Sequence, residues 1–159
     1  MNISREILKE YVDYIDGELI HKKERKNVNL PIGSILGYIH NGYKIVRFFK
    51  KKYGIHQLVF LYHYGFIPEF IDHHNGNTLD NHIENLRPAD KSQNAANQKI
   101  LKNTISGIKG VRIRKSGRIY AVIKHKGKKI FLGSFPSVEE AQQAYLLKAK
   151  ELFGDYARI

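Results

Sequence analysis

The sequence has 159 residues, a length that fits one ordinary domain or two small ones. Lys and Arg number 27 against 15 Asp and Glu, and the net charge of +12 at pH 7 favours a polyanionic partner. Cysteine is absent, which excludes disulfide frameworks, Cys-ligated zinc fingers, iron–sulfur clusters and thiol nucleophiles. No apolar run approaches ~18 residues and the N-terminus has no secretory hydrophobic region, so we expect a cytoplasmic, non-secreted chain without a membrane span.

The first segment, residues 11–53, has a short β-like pattern. Asp16-Gly17, Asn41-Gly42 and Gly54 separate short runs of alternating residues such as 43–48, as β-hairpins require. This segment is therefore predicted to be β-rich, and it contains no obvious chemistry.

The second segment is predicted to hold a helix and then a strand–loop–strand–helix unit. Apolar residues at helical spacing predict a helix over 56–64 that ends at Gly65 and Pro68. A strand over 70–74 leads into a polar loop, and a short strand follows at 85–88. Asp90 is a helix cap, with Gln93 placed to complete a capping box.

Residues 72–87 are dense in potential bases and ligands and almost free of apolar side chains, so they are not core. Cleaving a phosphodiester needs a base for the attacking water, a cation for the developing charge and a scaffold that holds both. A neutral His serves as a base near pH 7, and a carboxylate with an amide oxygen suits a hard ion such as Mg²⁺. Asp72, His73 and Asn94 supply one of each.

The motif resembles the HNH endonucleases of the phage and intron homing type, through His56-Gln-Leu-Val, Asp72-His73-x-Asn75-Gly76, Asn81-x3-Asn85-Leu86-Arg87 and Asn94. The resemblance implies a ββα-metal fold in which His73 is the general base. It implies that Asp72 and Asn94 bind one divalent ion per active site, Mg²⁺ or Mn²⁺, with no organic cofactor. Asn85 is the middle Asn of the pattern and fixes the loop backbone. The implied partner is double-stranded DNA, cut to a 5′-phosphate and a 3′-hydroxyl in a bacterial or phage-infected cell.

Three histidines of this segment have open roles. Position 82 is usually Arg in such sequences, so a contact of His82 with DNA phosphate would be weaker or pH-dependent; Arg87 is a second candidate DNA contact. On an ideal strand Asp72 and His74 share a face, which makes His74 an alternative base to the His73 that the resemblance favours. His56 lies on the apolar helix and is predicted to be a core residue packed behind the motif.

The third segment is predicted to be a basic β-β-β-α module that follows a polar linker. Its strands fall at 110–114, 118–124 and 129–135, and Ser137 with Glu140 forms a capping box for a helix that ends at Gly154. Nine basic residues and no acidic residue lie between positions 106 and 133, which indicates a phosphate-binding surface.

This module resembles the ethylene-response-factor (APETALA-type) DNA-binding domain, which lays a three-stranded sheet into the major groove. The resemblance rests on Gly110-Val-Arg-x-Arg114, Gly117-Arg-x-Tyr120-Ala and the Phe131-Leu-Gly-x-Phe135 run. Several arginines of that family are lysines here, and its usual tryptophans are replaced by Ser116 and Phe131. The implied DNA-binding residues are Lys109, Arg112, Arg114, Arg118, Tyr120, Lys124, Lys129 and Phe131.

We therefore predict an α+β chain with a β-rich N-terminal part and ββα-metal nuclease core over 1–98 (motif 56–98), a linker over 99–106 and a three-stranded antiparallel sheet with one helix over 107–159. The predicted function is site-directed DNA hydrolysis by an HNH endonuclease of the homing type. A DNA-binding regulator with an inactive nuclease centre and a low-specificity HNH nuclease are the alternatives. The sequence leaves open the oligomeric state and whether one or both strands are cut.

Overall fold

The computed structural model describes residues 3–24, 29–97 and 105–157. Contacts divide the chain between Pro88 and Ala89 into two compact units, called here the first and second unit. The division falls ten residues before the predicted end of the nuclease domain at 98, so the helix that begins at Lys91 groups with the second unit. Residues 99–104 of the predicted linker lie outside the described residues.

The first unit begins with a helix that the sequence analysis did not predict. Ser4 caps it by accepting a hydrogen bond from the backbone N–H of Ile7. Two antiparallel sheets follow, one of two strands and one of three strands that neighbour one another in chain order. The elements are α1 (Arg5–Tyr11), β1 (Val12–Ile15), β2 (Glu18–His21), β3 (Tyr38–His40), β4 (Tyr43–Phe48) and β5 (Lys51–Gly54).

Two of the three predicted turns form where the sequence places them. Gly54 is instead the N-cap of the helix that follows, and the turn between β4 and β5 lies at Phe49-Lys50. Asp16-Gly17 joins β1 to β2 and Asn41-Gly42 joins β3 to β4, and all four residues have positive φ. Two successive residues of positive φ are what a tight hairpin turn of this length requires, and Asp, Asn and Gly tolerate that conformation best.

The helix α2 (Ile55–Tyr64) supplies the centre of the core of the first unit. Its residues Leu58 and Val59 are fully buried, and it ends at Gly65 in a left-handed conformation with φ +83°, as a helix C-terminus favours. The core also holds Leu8, Val12, Leu19, Leu36, Phe48 and Ile55. Ile71, on the strand that carries Asp72 and His73, is partly buried against this core.

The strand–loop–strand–helix order of the second segment is present. It consists of β6 (Phe70–His73), a loop that ends in a 3₁₀ turn over Ile83–Asn85, β7 (Leu86–Ala89), which pairs with β6, and α3 (Lys91–Asn97). The predicted capping box also forms: Asp90 accepts from the N–H of Gln93 at 2.8 Å, and the Gln93 side chain accepts from the N–H of Asp90 at 2.7 Å.

The second unit continues with the antiparallel sheet β8 (Val111–Ile113), β9 (Ile119–His125) and β10 (Lys128–Phe135), followed by α4 (Val138–Phe153). Ser137 caps α4 by accepting from the N–H of Glu140. Ala141, Tyr145, Ala149 and Phe153 form the buried stripe of α4 and pack with Val111, Ala121 and Ile123 of the sheet. One face of the sheet is therefore covered by the helix.

These elements confirm the prediction of a mixed α+β chain. In the part of the chain that the structure describes, no helix combines the length and the apolar character that crossing a membrane would require.

Candidate active site

Asp72 and His73 end the strand β6, and both side chains are buried, at 3% and 4% exposure. Neighbouring residues of a regular strand point to opposite faces, so both faces of β6 are covered at its last two positions. His74 is exposed, and its backbone N–H donates to the carbonyl of Asn85 at 2.8 Å. Of the two adjacent imidazoles, the structure encloses His73 and leaves His74 in solvent.

Asn81 contacts the imidazole of His73, with 3.4 Å between His73 Nε2 and Asn81 Oδ1. The amide of Asn81 is itself oriented, because its Nδ2 donates to the carbonyl of Leu79 at 3.1 Å. Since an amide oxygen only accepts, this contact is satisfied when Nε2 of His73 carries the proton. The lone pair of the neutral ring then lies on Nδ1.

Burial is the main electrostatic influence on His73. It lowers the pKa of the imidazole below its ordinary value of 6.5, because a charged ring is poorly solvated there. The hydrogen bond to Asn81 and the nearby carboxylates of Asp72 and Asp80 oppose that shift. The net lowering keeps His73 neutral at pH 7, which is the form that accepts a proton.

Asn85 fixes the two ends of the loop that follows His73. Its Oδ1 accepts from the backbone N–H of Asn75 at 2.9 Å, and its Nδ2 donates to the backbone carbonyl of Asp80 at 2.8 Å. Asn75 adds a side-chain bond to Asp80 at 2.6 Å. This is the loop-fixing geometry that the HNH resemblance implies for Asn85, and it holds the backbone around Asn81.

Asp72 forms a buried ion pair with Arg87, whose Nε lies 2.8 Å from Asp72 Oδ2. The two residues are brought together by the pairing of β6 with β7. Arg87 was predicted to bind DNA, and in the structure its guanidinium holds the carboxylate of Asp72. Such a contact fixes the carboxylate in one orientation.

The residues of this site lie in a segment that matches a known protein family. Residues 53–96, which include β6, the loop and β7, match the family of HNH endonucleases. The chain is also 33% identical over 91 residues to Protein 3.8 of Escherichia phage T7, covering 74% of that protein. Residues 53–96 of the chain form an HNH endonuclease domain. The enzyme class predicted from the sequence is thereby confirmed.

A second relative, unlike the phage protein, is itself named as an HNH endonuclease. The chain is 38% identical over 88 residues to the uncharacterized HNH endonuclease L560 of Acanthamoeba polyphaga mimivirus. That alignment takes in 55% of this chain and only 45% of the viral protein, so the chain spans less than half the length of this relative. No solved structure matches the chain significantly.

Asn94, the predicted second metal ligand of the HNH endonuclease, lies half-buried on α3 in the second unit, whereas Asp72 and His73 lie in the first. Asn97, one helical turn later, is buried at 7% exposure. Lys109, predicted to bind DNA, donates through Nζ to the carbonyls of Ala95 and Ala96 near the end of α3. Lysine in this position stabilises a helix C-terminus.

His82 forms a link between two loops of the first unit. Its Nδ1 lies 2.7 Å from Asp80 Oδ1, and its Nε2 lies 3.2 Å from Asp16 Oδ1. The hydrogen bond to Asp80, followed by that to Asp16, raises the pKa of His82 above 6.5. The side chain predicted to meet DNA phosphate is therefore held by two carboxylates.

The remaining predicted DNA-binding residues lie on or beside the β8–β10 sheet. Arg112 pairs with Tyr120 and Lys124 with Lys129 in the strand register, and residues directly opposite in register share a face. The Arg114 guanidinium lies 5.5 Å from the Tyr120 ring, and Arg118 donates to Ser134 at 2.8 Å. This face, opposite the one covered by α4, thus combines basic groups with aromatic rings, including the 58%-exposed Phe131.

Two residues beside His73, Asn81 and Tyr43, have no site role that the sequence predicts. Asn81 was inside the quoted motif, but Asp80-Asn81 alone is equally explained by turn chemistry. Tyr43 is thirty positions before His73 and carries no motif; it follows the Asn41-Gly42 turn, and its ring centroid lies 6.2 Å from that of His73. Only the tertiary fold brings them together.

Proposed function

We propose that the chain is a metal-dependent DNA endonuclease of the homing type, which hydrolyses phosphodiester bonds of double-stranded DNA in a bacterial or phage-infected cell. The observation that carries the proposal is the enclosed Asp72–His73 pair, with His73 held by Asn81 inside the residues that match the HNH family. A monomer with one such centre would nick one strand, and a dimer would cut both.

In the proposed reaction, Nδ1 of neutral His73 removes a proton from the water that attacks the phosphorus. Two features support this assignment: Asn81 favours the proton on Nε2, and burial lowers the pKa of the ring. When the ring is neutral at the working pH and its proton is held on Nε2, the lone pair of Nδ1 keeps a single direction toward the attacking water.

The proposed ligands of the divalent ion are the carboxylate of Asp72 and the amide oxygen of Asn94. Within residues 3–24, 29–97 and 105–157 no three His, Asp or Glu side chains form a group that could hold a metal. One carboxylate with one amide oxygen suits Mg²⁺ or Mn²⁺, which keep several waters. The bound ion would stabilise the charge on the phosphate and on the departing 3′ oxygen. Arg87 orients Asp72 for this role.

We propose that the β8–β10 sheet binds the duplex and selects the site, as in the ethylene-response-factor domains that it resembles. Its outer face offers Arg112 and Arg114 for contacts with guanine, each worth about 1–3 kcal/mol of discrimination. Arg118, Lys124 and Lys129 would contact phosphates, which position the protein without specifying sequence. Tyr120 and Phe131 would add stacking or methyl contacts from the same face.

Nicking of supercoiled plasmid tests the proposal. We expect cutting with Mg²⁺ or Mn²⁺, none with EDTA, and a loss of at least about 10²-fold in rate for His73→Ala, because a general base typically contributes that much. His74→Ala is the matched control, an exposed imidazole one residue away, and should cut like the wild type.

The outcomes separate the alternatives. If His74→Ala is inactive and His73→Ala cuts normally, the base is His74. Failure to cut any substrate, with duplex binding retained, would favour the DNA-binding regulator. Cutting with little sequence preference would favour a low-specificity nuclease. An unchanged site preference in an Arg112→Ala/Arg114→Ala variant would refute the proposed role of the sheet in selecting the site.

A further inference from the structure

Two rings from separate elements pack against the imidazole of His73. The ring centroid of His56, on α2, lies 5.3 Å from that of His73, with the planes 71° apart. Tyr43, on β4, lies 6.2 Å from His73 and 5.7 Å from His56. Centroid separations of 4.5–7 Å with steep interplanar angles are the favourable range for aromatic contacts.

The His56 ring is fixed by close packing. A Cβ atom added at Gly54 would lie 2.3 Å from His56 Cε1, so only glycine leaves room for the ring at this place. Its Nδ1 is buried and has no hydrogen-bond partner among the described residues. Burial, followed by the proximity of His73, lowers the pKa of His56 to about 4, so the ring beside His73 is neutral at pH 7.

Tyr43 is held at the other side by the β3–β4 hairpin. Its neighbour Gly42 accepts, through its backbone carbonyl, a hydrogen bond from the hydroxyl of Thr78 at 2.5 Å. Thr78 belongs to the loop whose ends Asn85 fixes. The tip of the hairpin and the loop beside His73 are thus tied to each other.

One hydrogen bond does not fix an imidazole plane. The contact with Asn81 is long, at 3.4 Å, so it does not by itself keep Nε2 beside Asn81. The ring can turn about the Cβ–Cγ bond, because the terminal torsion of histidine has broad wells. Rings packed against it remove that freedom. Direction matters here, since Nδ1 is the atom proposed to take the proton.

We infer that Tyr43 and His56 are positioning residues, which fix the plane of the His73 imidazole so that Nδ1 faces the substrate. The inference rests on the proposed role of His73 as the base. Tyr43 acts through its ring and not through its hydroxyl.

The test combines nicking rates with nitrogen-15 spectra of the His73 side chain in the metal-free protein. Tyr43→Ala and His56→Ala should each lower the maximal nicking rate by about 10–100-fold, because the catalytic group would be misplaced. The plasmid concentration that gives the half-maximal rate should change by less than about twofold. Tyr43→Phe should restore the rate to within about twofold of wild type. In the spectra, wild type should show one Nε2–H tautomer, and each alanine variant a mixture.

Matched controls are Tyr38→Ala, on the same sheet, and His63→Ala, on the same helix; both should match the wild type in rate and spectrum. Rates and spectra unchanged in both alanine variants of the ring cluster would overturn the inference. So would equal losses in Tyr43→Phe and Tyr43→Ala. If the wild-type protein cuts no substrate, the endonuclease proposal fails, while the spectra still decide whether the two rings fix His73.

Discussion

Replacing His56 with Gln should remove a pH-dependent loss of stability from the first unit. Burial lowers the pKa of His56 from 6.5 to about 4 in the folded protein. Below pH 6.5 the unfolded chain binds a proton that the folded chain does not, so stability falls as the pH decreases and the full loss is reached below about pH 4. Each pH unit in that window costs about 1.4 kcal/mol, which gives about 2 kcal/mol between pH 7 and pH 5.

Hydrogen exchange of the α2 amides measures this effect within the first unit. After correction for intrinsic exchange, the opening free energy of the α2 amides should fall by about 2 kcal/mol more in the wild type than in His56→Gln between pH 7 and pH 5. His74→Gln, which changes an exposed imidazole, should follow the wild-type curve. Parallel curves for the wild type and His56→Gln would refute the argument, because they would mean that folding does not depress the protonation of His56.

Three further substitutions test the structural role of single residues. Gly110→Ala should lower the free energy of unfolding by at least about 2 kcal/mol in urea denaturation, since its Cβ would lie 2.0 Å from Tyr145 and φ is +77°. The control is Gly117→Ala, where φ is +81° but the space is open, and its loss of unfolding free energy should be smaller. Asn85→Ala should cost about 1–3 kcal/mol and speed the exchange of loop amides, because it removes two hydrogen bonds to the loop backbone, each worth about 0.5–1.5 kcal/mol. Arg87→Gln should cost about 3–5 kcal/mol, measured by urea denaturation, because it leaves a buried carboxylate without its charged partner; a change below 1 kcal/mol would contradict the buried ion pair.

Elements with local signals were predictable from the sequence. The helix α2 and its end at Gly65, the capping boxes at Asp90 and Ser137, and the Asn41-Gly42 turn depend on residues within a few positions of one another. The helix α1 is the exception. It is seven residues long and has one fully buried side chain, Leu8, so periodicity gives it almost no signal.

At the site, the motif predicted which residues lie near His73 in the chain but not what they contact. Arg87 and His82 are side chains of the type that binds phosphate, yet in the folded chain each contacts a carboxylate. Tyr43 is far from the motif in sequence and reaches it only through the hairpin packing. Pairings of this kind depend on the tertiary structure, and local propensity contains no information about them.

The position of Asn94 affects how this chain could be recombined with others. The core of the second unit includes Ala96, on the same helix as Asn94, and shares no residue with the core of the first. A chimera joined between Pro88 and Ala89 would therefore inherit the proposed second metal ligand from the donor of the sheet. Grafting a new specificity onto this nuclease thus requires a donor that brings an equivalent amide, or a junction placed after the helix.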